Sequence, residues 1–267
     1  MSPRETCPVC DGQPERFSVA TVLSRFDAVY LKCRKCGSVF AEDPTWLREA
    51  YERAIAERDI GLVSRNVTLA AATRRVLRRC FPDAGSYLDF GAGTGMFVRL
   101  MRDLGYDFRY FDEHGPNLYA PGLESDDPRR QRFDIVTAME VLEHLEHPVP
   151  QLADVVSGSR ALLATTEPLP FPAPAPGRWW YYALGTGQHI TFYSQLGLDR
   201  LAGRLGFVRT SAGSYHVFSR GRVSRRSLKL LVSQRFDPVW GRYGARPSLL
   251  PLDYEALTGE PLQDGRP

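Results

Sequence analysis

The sequence predicts an α/β protein with a mostly parallel sheet and helices on both faces, preceded by a small cysteine-rich module. Apolar, strand-like runs alternate with helical-period segments from Ser86 onward, which argues a parallel sheet. The first of these runs ends in the closely spaced glycines Gly91, Gly93 and Gly95. Four of the five cysteines fall into two Cys-x-x-Cys pairs near the N-terminus. At 267 residues, 43% hydrophobic and 24% charged, the chain can bury a sizeable core and hold one large domain with a small appendage. No apolar run is long enough to span a membrane, and Met1–Thr6 lacks a basic-then-apolar export pattern, so a cytoplasmic location is expected.

Residues 1–42 contain Cys7-Pro8-Val9-Cys10 and Cys33-Arg34-Lys35-Cys36-Gly37, separated by enough chain for a hairpin. Two residues between paired cysteines let both sulfurs reach one ion, and tetrahedral zinc asks for four ligands, so this segment is expected to be a zinc ribbon with Cys7, Cys10, Cys33 and Cys36 as ligands. A disulfide framework is the competing reading, and it lacks an export signal to support it. With four thiolates no coordination position is left open, so the metal is expected to be structural. Cys80 is left over as a packed helix residue.

Residues 43–82 form a helical linker or lid, with helical patterns from Pro44 to Tyr51 and from Ser64 to Arg79. The large domain then occupies residues 83–219. Its first strand, Ser86 to Phe90, spills into the glycine turn and a helix. Glycines let the backbone approach a ligand closely, and the helix N-terminus adds unpaired N–H groups, an arrangement that holds a nucleoside cofactor. A dinucleotide fingerprint would put its third glycine at Met96, whereas here it stands one residue earlier, at Gly95. Further strands are expected at Phe108–Phe111, Asp134–Ala138 and Ala161–Thr166. Between the first two lies a loop through Pro116, Pro121 and Pro128. The Pro-rich loop Glu167–Pro176 follows the third, leaving the C-terminal end of a strand, where open α/β sheets bind ligands. Trp179-Trp180-Tyr181-Tyr182 is either buried core or a platform for a sugar or other ring. A helix capped by Ser194 runs to Leu205, and strands Val208–Ser211 and Ser214–Phe218 close the sheet as an antiparallel edge.

The string Asp89-Phe90-Gly91-Ala92-Gly93-Thr94-Gly95 resembles motif I of the class I S-adenosylmethionine-dependent methyltransferases, and two later segments agree with it. Phe108–Asp112 resembles that family's second strand, which ends in the acid that binds the cofactor ribose. Arg132–His144 resembles its fourth strand and the following helix. The resemblance implies a Rossmann-like, seven-stranded sheet. It also implies S-adenosylmethionine as cofactor, held by Asp89, Gly91, Gly93, Gly95, Asp112 and Glu140.

Such an enzyme needs a base for the proton that leaves an attacking hydroxyl. Candidates are His144, His147, His189 and His216. His189, in Gln188-His189-Ile190-Thr191-Phe192-Tyr193-Ser194, stands nearest the expected pocket mouth, although it could instead bond the next helix. Glu140, Glu143 and His144, spaced i, i+3, i+4, are expected on one helical face. Glu-Val-Leu-Glu-His resembles a metal-binding motif of ubiquinone-pathway O-methyltransferases and small-RNA 2′-O-methyltransferases, which implies a divalent metal at Glu140, Glu143 and His144, with His189 as a further ligand. Similar strings also cap and pack helices in enzymes without a metal.

Net charge is +3, but residues 220–246 carry +7 and the rest −4. Residues 220–267 are read as a basic, Pro-containing extension. Its patch either attracts a phosphorylated or nucleic-acid partner or is a solvated helix face, and few aromatics are interleaved for stacking. The whole layout resembles bacterial methyltransferases of sugars and other small molecules. It implies O-methylation of a small-molecule or glycan acceptor in a glycan or natural-product pathway. The alternatives are a zinc-ribbon RNA methyltransferase with a nucleic-acid partner and a non-catalytic binding protein that kept the fold.

Overall fold

The computed structural model describes residues 5–52, 60–233 and 246–262. The chain folds as two compact units: Met1–Ile55 with Glu140–Asp154 and Ala164–Arg222, and Ala56–Met139 with Val155–Leu163 and Val223–Pro267.

In the first unit, β1 (Pro14–Val22) and β2 (Phe26–Cys33) form an antiparallel hairpin with a bulge between Arg16 and Ser18. Its loop bends through left-handed residues Leu23 (φ 50°) and Ser24 (φ 60°). Next come β3 (Val39–Ala41) and the short helix α1 (Leu47–Glu52). The two-residue strand β8 (Thr191–Phe192) pairs with β3, giving the antiparallel order β1–β2–β3–β8. Val22, Tyr30, Val39, Trp46, Tyr181, Tyr182, Ile190 and Phe192 pack into one apolar core. The aromatic cluster therefore divides. Tyr181 and Tyr182 are core, whereas Trp180 is 75% exposed.

Helix α4 (Pro148–Ala153) starts with proline at its first position, where no N–H is needed. Helix α5 (Gln195–Arg204) is capped by Ser194, whose Oγ accepts the Gly197 N–H at 2.8 Å. Past its end Gly206 takes φ 77°, and β9 (Val208–Ala212) and β10 (Tyr215–Ser219) form the expected antiparallel hairpin.

In the second unit, α2 (Leu62–Cys80) covers the expected second helix and ends on Cys80. It is followed by β4 (Tyr87–Phe90), α3 (Met96–Asp103), β5 (Phe108–Phe111) and β6 (Ile135–Met139). β4 is parallel to both β5 and β6. α6 (Arg225–Leu231) and α7 (Leu250–Thr258) follow, and Asp253 of α7 takes ion pairs from Arg99 (2.8 Å) and Arg102 (2.6 Å) of α3. The basic stretch 220–246 lies partly outside the described residues, as does the tail beyond residue 262.

With β7 (Ala161–Thr165), the larger sheet has the order β5–β4–β6–β7–β10–β9. It is a mixed sheet of six strands among the described residues, one fewer than the seven expected. Beside β5 the described residues add only a single parallel bridge, Tyr110 to Glu124. Pro116, Pro121 and Pro128 each lack the N–H a ladder requires, so that segment stays a loop. Among the described residues no helix is long and apolar enough to cross a membrane.

Candidate functional site

Every residue of β4 is buried, which fixes the point where the chain must leave the sheet. It leaves through Gly91 (φ 72°), Gly93 (φ 55°) and Gly95 (φ 80°), a left-handed region that other residues rarely enter. At Gly95 a Cβ would also come within 2.7 Å of the Asn117 Oδ1. At Gly93 nothing lies within 4 Å of the Cβ position, so one side of the turn opens into free space. Gly95 caps α3, whose first N–H groups have no intrahelical partner.

The turn is tied to the end of β5. The Phe111 carbonyl accepts the N–H groups of Gly91 (2.9 Å) and Ala92 (3.1 Å). Asp112 Oδ2 accepts the Gly93 N–H at 2.8 Å, while Oδ1 accepts those of His114 (2.7 Å) and Gly115 (2.5 Å). Gly91, Gly93, Gly95 and Asp112 therefore belong to one local constellation.

Asp89 stands apart from it. The side chain is 2% exposed and accepts the Thr137 hydroxyl at 2.6 Å, and burial is the main cause that pushes its pKa up to about 7. Asp89 underpins the strand end from inside the fold.

Glu140 belongs to the first unit, and the helical face expected for Glu140, Glu143 and His144 does not form. Glu140 takes φ 57° directly after β6, its N–H bonded to the Thr165 carbonyl (3.2 Å) and Oγ1 (2.9 Å). Only Leu142–His144 turns, as one short 3-10 segment. Glu140 is thereby removed from the metal-competent group. Among the described residues that group is Glu143, His144 and His189, with one ligand atom of each within 4.8 Å of the others.

His189 reaches this group because its neighbours bond to the 3-10 segment. Ile190 donates its N–H to the Glu143 carbonyl (2.8 Å), the Thr191 hydroxyl donates to the Leu145 carbonyl (3.0 Å), and the Tyr193 hydroxyl to the Leu142 carbonyl (2.8 Å). His189 Nδ1 lies 2.7 Å from the Tyr181 carbonyl, which can only accept, so Nδ1 is the donor and Nε2 is the acceptor of the neutral ring. The imidazoles of His144 and His189 meet edge to face at 4.9 Å, and His144 Nδ1 is 3.3 Å from the Tyr51 hydroxyl.

Glu143 is fully buried. Its Oε1 accepts the Tyr181 hydroxyl at 2.7 Å, while Oε2 has no hydrogen-bond partner among the described residues. Burial first, then the Glu143 charge, holds the Tyr181 phenol far above its ordinary range, so it stays a donor.

His216 is buried elsewhere in the fold, bonded to the Thr166 carbonyl (3.0 Å) and Ser211 Oγ (2.7 Å), and His147 precedes α4, its N–H bonded to Gln151 Oε1. Neither joins the cluster.

The four N-terminal cysteines converge as a third constellation. All are buried and unbridged, with Cys7 and Cys36 sulfurs 3.7 Å apart and those of Cys10 and Cys33 3.6 Å apart. These spacings exceed an S–S bond by far, and they match the roughly 3.8 Å sulfur separation of a tetrahedral four-thiolate site. A Cβ on Gly12 would come within 2.9 Å of the Cys33 sulfur, so the knuckle closes only over a glycine. The hydrogen bond between Cys7 and Cys36 is the largest cause that lowers the Cys36 thiol to about 5 and that raises the Cys7 thiol, so the pair holds one proton between them.

Residues 62–212, more than half of the chain, match the family model described as a methyltransferase domain. The chain belongs to the methyltransferase-domain family. In this methyltransferase-family chain, a stretch aligned over 112 residues is 34% identical to the demethylspheroidene O-methyltransferase of Rhodobacter capsulatus, covering 35% of this chain and 28% of that protein. Among solved structures, the magnesium protoporphyrin IX methyltransferase of Synechocystis PCC 6803 with bound S-adenosylmethionine is 15% identical, with 64% of this chain and 86% of that one covered at a TM-score of 0.41. CalO1, a methyltransferase of calicheamicin biosynthesis, is 17% identical at a TM-score of 0.41, with 58% and 52% covered. The chain thus spans about a quarter of the curated relative's length and half of CalO1.

Two residues of the candidate sites were not singled out individually by the sequence. Tyr181 is the donor to Glu143, hidden in an aromatic run whose burial and bonding the sequence does not distinguish residue by residue. Gly115 touches the glycine turn, and its only signal was a glycine three residues after the acid.

Proposed function

We propose that this chain is an S-adenosylmethionine-dependent O-methyltransferase acting on a sugar or other small molecule in a glycan or natural-product pathway. The observation that carries the reading is the glycine turn after β4. It is left-handed at three glycines, open at Gly93, and bonded through Gly93 N–H to Asp112. The family model and the O-methyltransferase relative support it.

The cofactor supplies a methyl group already activated on a sulfonium centre. The chain's own residues bind, orient and move a proton. The glycine backbone admits the ligand against the main chain, and the N-terminal N–H groups of α3 favour its carboxylate. Asp112, with one lone-pair direction left after three N–H bonds, accepts from ribose hydroxyls. Asp89 supports the strand end that carries the turn. His189 Nε2 takes the proton of the acceptor hydroxyl, and the Tyr181 carbonyl on Nδ1–H, together with the buried Glu143 carboxylate, stabilises the resulting imidazolium. His144, edge to face with His189, is the second member of the pair.

A second reading of the same cluster has its own observation. The buried, unpartnered Glu143 Oε2, with two imidazoles in reach, is a donor set for a divalent ion, which would lower the pKa of a bound hydroxyl and orient a vicinal diol.

The four cysteines are read as a structural zinc site in a ribbon spanning residues 1–42. Residues 43–82 are read as the linker, 83–219 as the methyltransferase domain and 220–267 as the extension. Buried, unbridged thiols suit a reducing compartment, in keeping with a cytoplasmic location. The test is a mass-spectrometric screen of hydroxylated sugars and small aromatic acceptors with S-adenosylmethionine, run with and without a chelator. Transfer of one methyl to oxygen is expected. Methylation of RNA alone, or release of no S-adenosylhomocysteine, would contradict the reading.

A further inference from the structure

The position of Gly93 in the cofactor turn is set by a second loop. A Cβ built on Gly115 would stand 2.8 Å from the Gly93 oxygen, 2.9 Å from its Cα and 3.0 Å from its carbonyl carbon, all backbone atoms with no rotamer to yield. The two glycines therefore pass with main chain against main chain.

They are also joined at both polar ends. The Gly93 and Gly115 N–H groups donate to the two oxygens of Asp112, at 2.8 and 2.5 Å. The Tyr110 hydroxyl lies 2.9 Å from both the Gly93 and the Gly115 carbonyl oxygens. Tyr110 and Asp112 are alternate residues around the end of β5, so one strand end supplies both the acceptor for the amides and the donor for the carbonyls. The loop is held down further by Leu118 and Tyr119, whose N–H groups both bond the Thr94 carbonyl at 3.0 Å. Burial holds the Tyr110 phenol well above its ordinary range, so it remains a donor at any working pH.

We infer that Gly115 and Tyr110 are positioning residues for the cofactor: they fix Gly93 against the loop after β5 and leave its opposite side free for the ligand. This rests on the cofactor reading above. Asp112, by accepting the Gly93 and Gly115 N–H groups, also holds the two turns together.

The experiment compares full-length wild type, Gly115→Ala, Tyr110→Phe and the control Gly203→Ala. Gly203 is a helical residue of α5 with nothing within 4 Å of its Cβ position. Calorimetry with S-adenosylhomocysteine is paired with the melting temperature of the free protein and the Gly93 amide signal in a 1H–15N spectrum. Expected are a Kd about 10–100-fold higher for Gly115→Ala and about 3–10-fold higher for Tyr110→Phe. The Gly93 amide should shift in both, with wild-type values for Gly203→Ala. Tyr110→Phe creates no clash, so it keeps the test valid where Gly115→Ala fails to fold. Affinities within twofold of wild type, or an unmoved Gly93 amide, overturn the inference. Absence of binding by wild type instead overturns the cofactor reading itself.

Discussion

The glycine turn and the acid–imidazole cluster are built by different means. The turn draws on one continuous stretch, Asp89 to Ala120, and its hydrogen bonds run largely between backbone groups and one carboxylate. The cluster draws Tyr51, Glu143, His144, Tyr181 and His189 from three separate segments, and side chains make its bonds. Turn chemistry and the groups at the end of β5, the Tyr110 hydroxyl and the Asp112 carboxylate, hold the first in shape. The second exists only where tertiary packing brings distant residues together, so it should be the more fragile of the two.

The largest effect is expected from removing metal at the cysteines. Binding to such a site supplies roughly 10–16 kcal/mol of folding free energy in isolated modules, so a strong chelator should lower the melting temperature by more than about 10 °C. A melting curve unchanged by chelator, with no zinc in elemental analysis, would break the ribbon reading. Next comes His189→Ala, which should cut turnover on the acceptor found by screening by about 10²–10⁴-fold, with cofactor affinity unchanged. Near-normal turnover excludes His189 as base or ligand. Under the metal reading the loss should also appear in wild type on chelation and be reversed by added divalent ion.

Tyr181→Phe is a subtler probe of the cluster. It leaves a fully buried Glu143 with no donor on either oxygen, for a cost of about 1–3 kcal/mol in denaturant unfolding. A loss below that range would show that Glu143 finds another partner. The smallest effect concerns the other region. The folded-state pKa of Asp89 is raised to about 7, so the stability it contributes is present below about pH 4 and is lost as pH rises towards 7. Asp89→Asn should flatten that part of the stability–pH profile, and an unchanged slope would contradict the buried-acid account.

The same contrast governs what could be read from the sequence. The glycines, the acid at the end of β5 and the Ser194 cap announce themselves because each solves a local problem, a left-handed bend, a strand end or an orphan N–H. Six strands of the sheet follow from apolar runs, and the proline-bearing stretch between β5 and β6 stays the expected loop, with one bridge. The Glu140 expectation fails at one dihedral: a left-handed residue directly after β6 dissolves the helical face that i, i+3, i+4 spacing presupposes. His189 is legible as a candidate from its neighbours, but its tautomer is not, because the Tyr181 carbonyl that sets it is a tertiary contact. Nothing in the spelling of Trp179–Tyr182 separates the donor to Glu143 from the exposed Trp180.

The most direct test of the central claim is equilibrium binding of S-adenosylmethionine to wild type and Asp112→Ala. Saturable one-to-one binding is predicted for wild type, with affinity about 10–100-fold weaker in the variant, since a charged acceptor worth about 1.5–3 kcal/mol is lost. No binding by the wild-type protein, or equal affinity in the two, would contradict it.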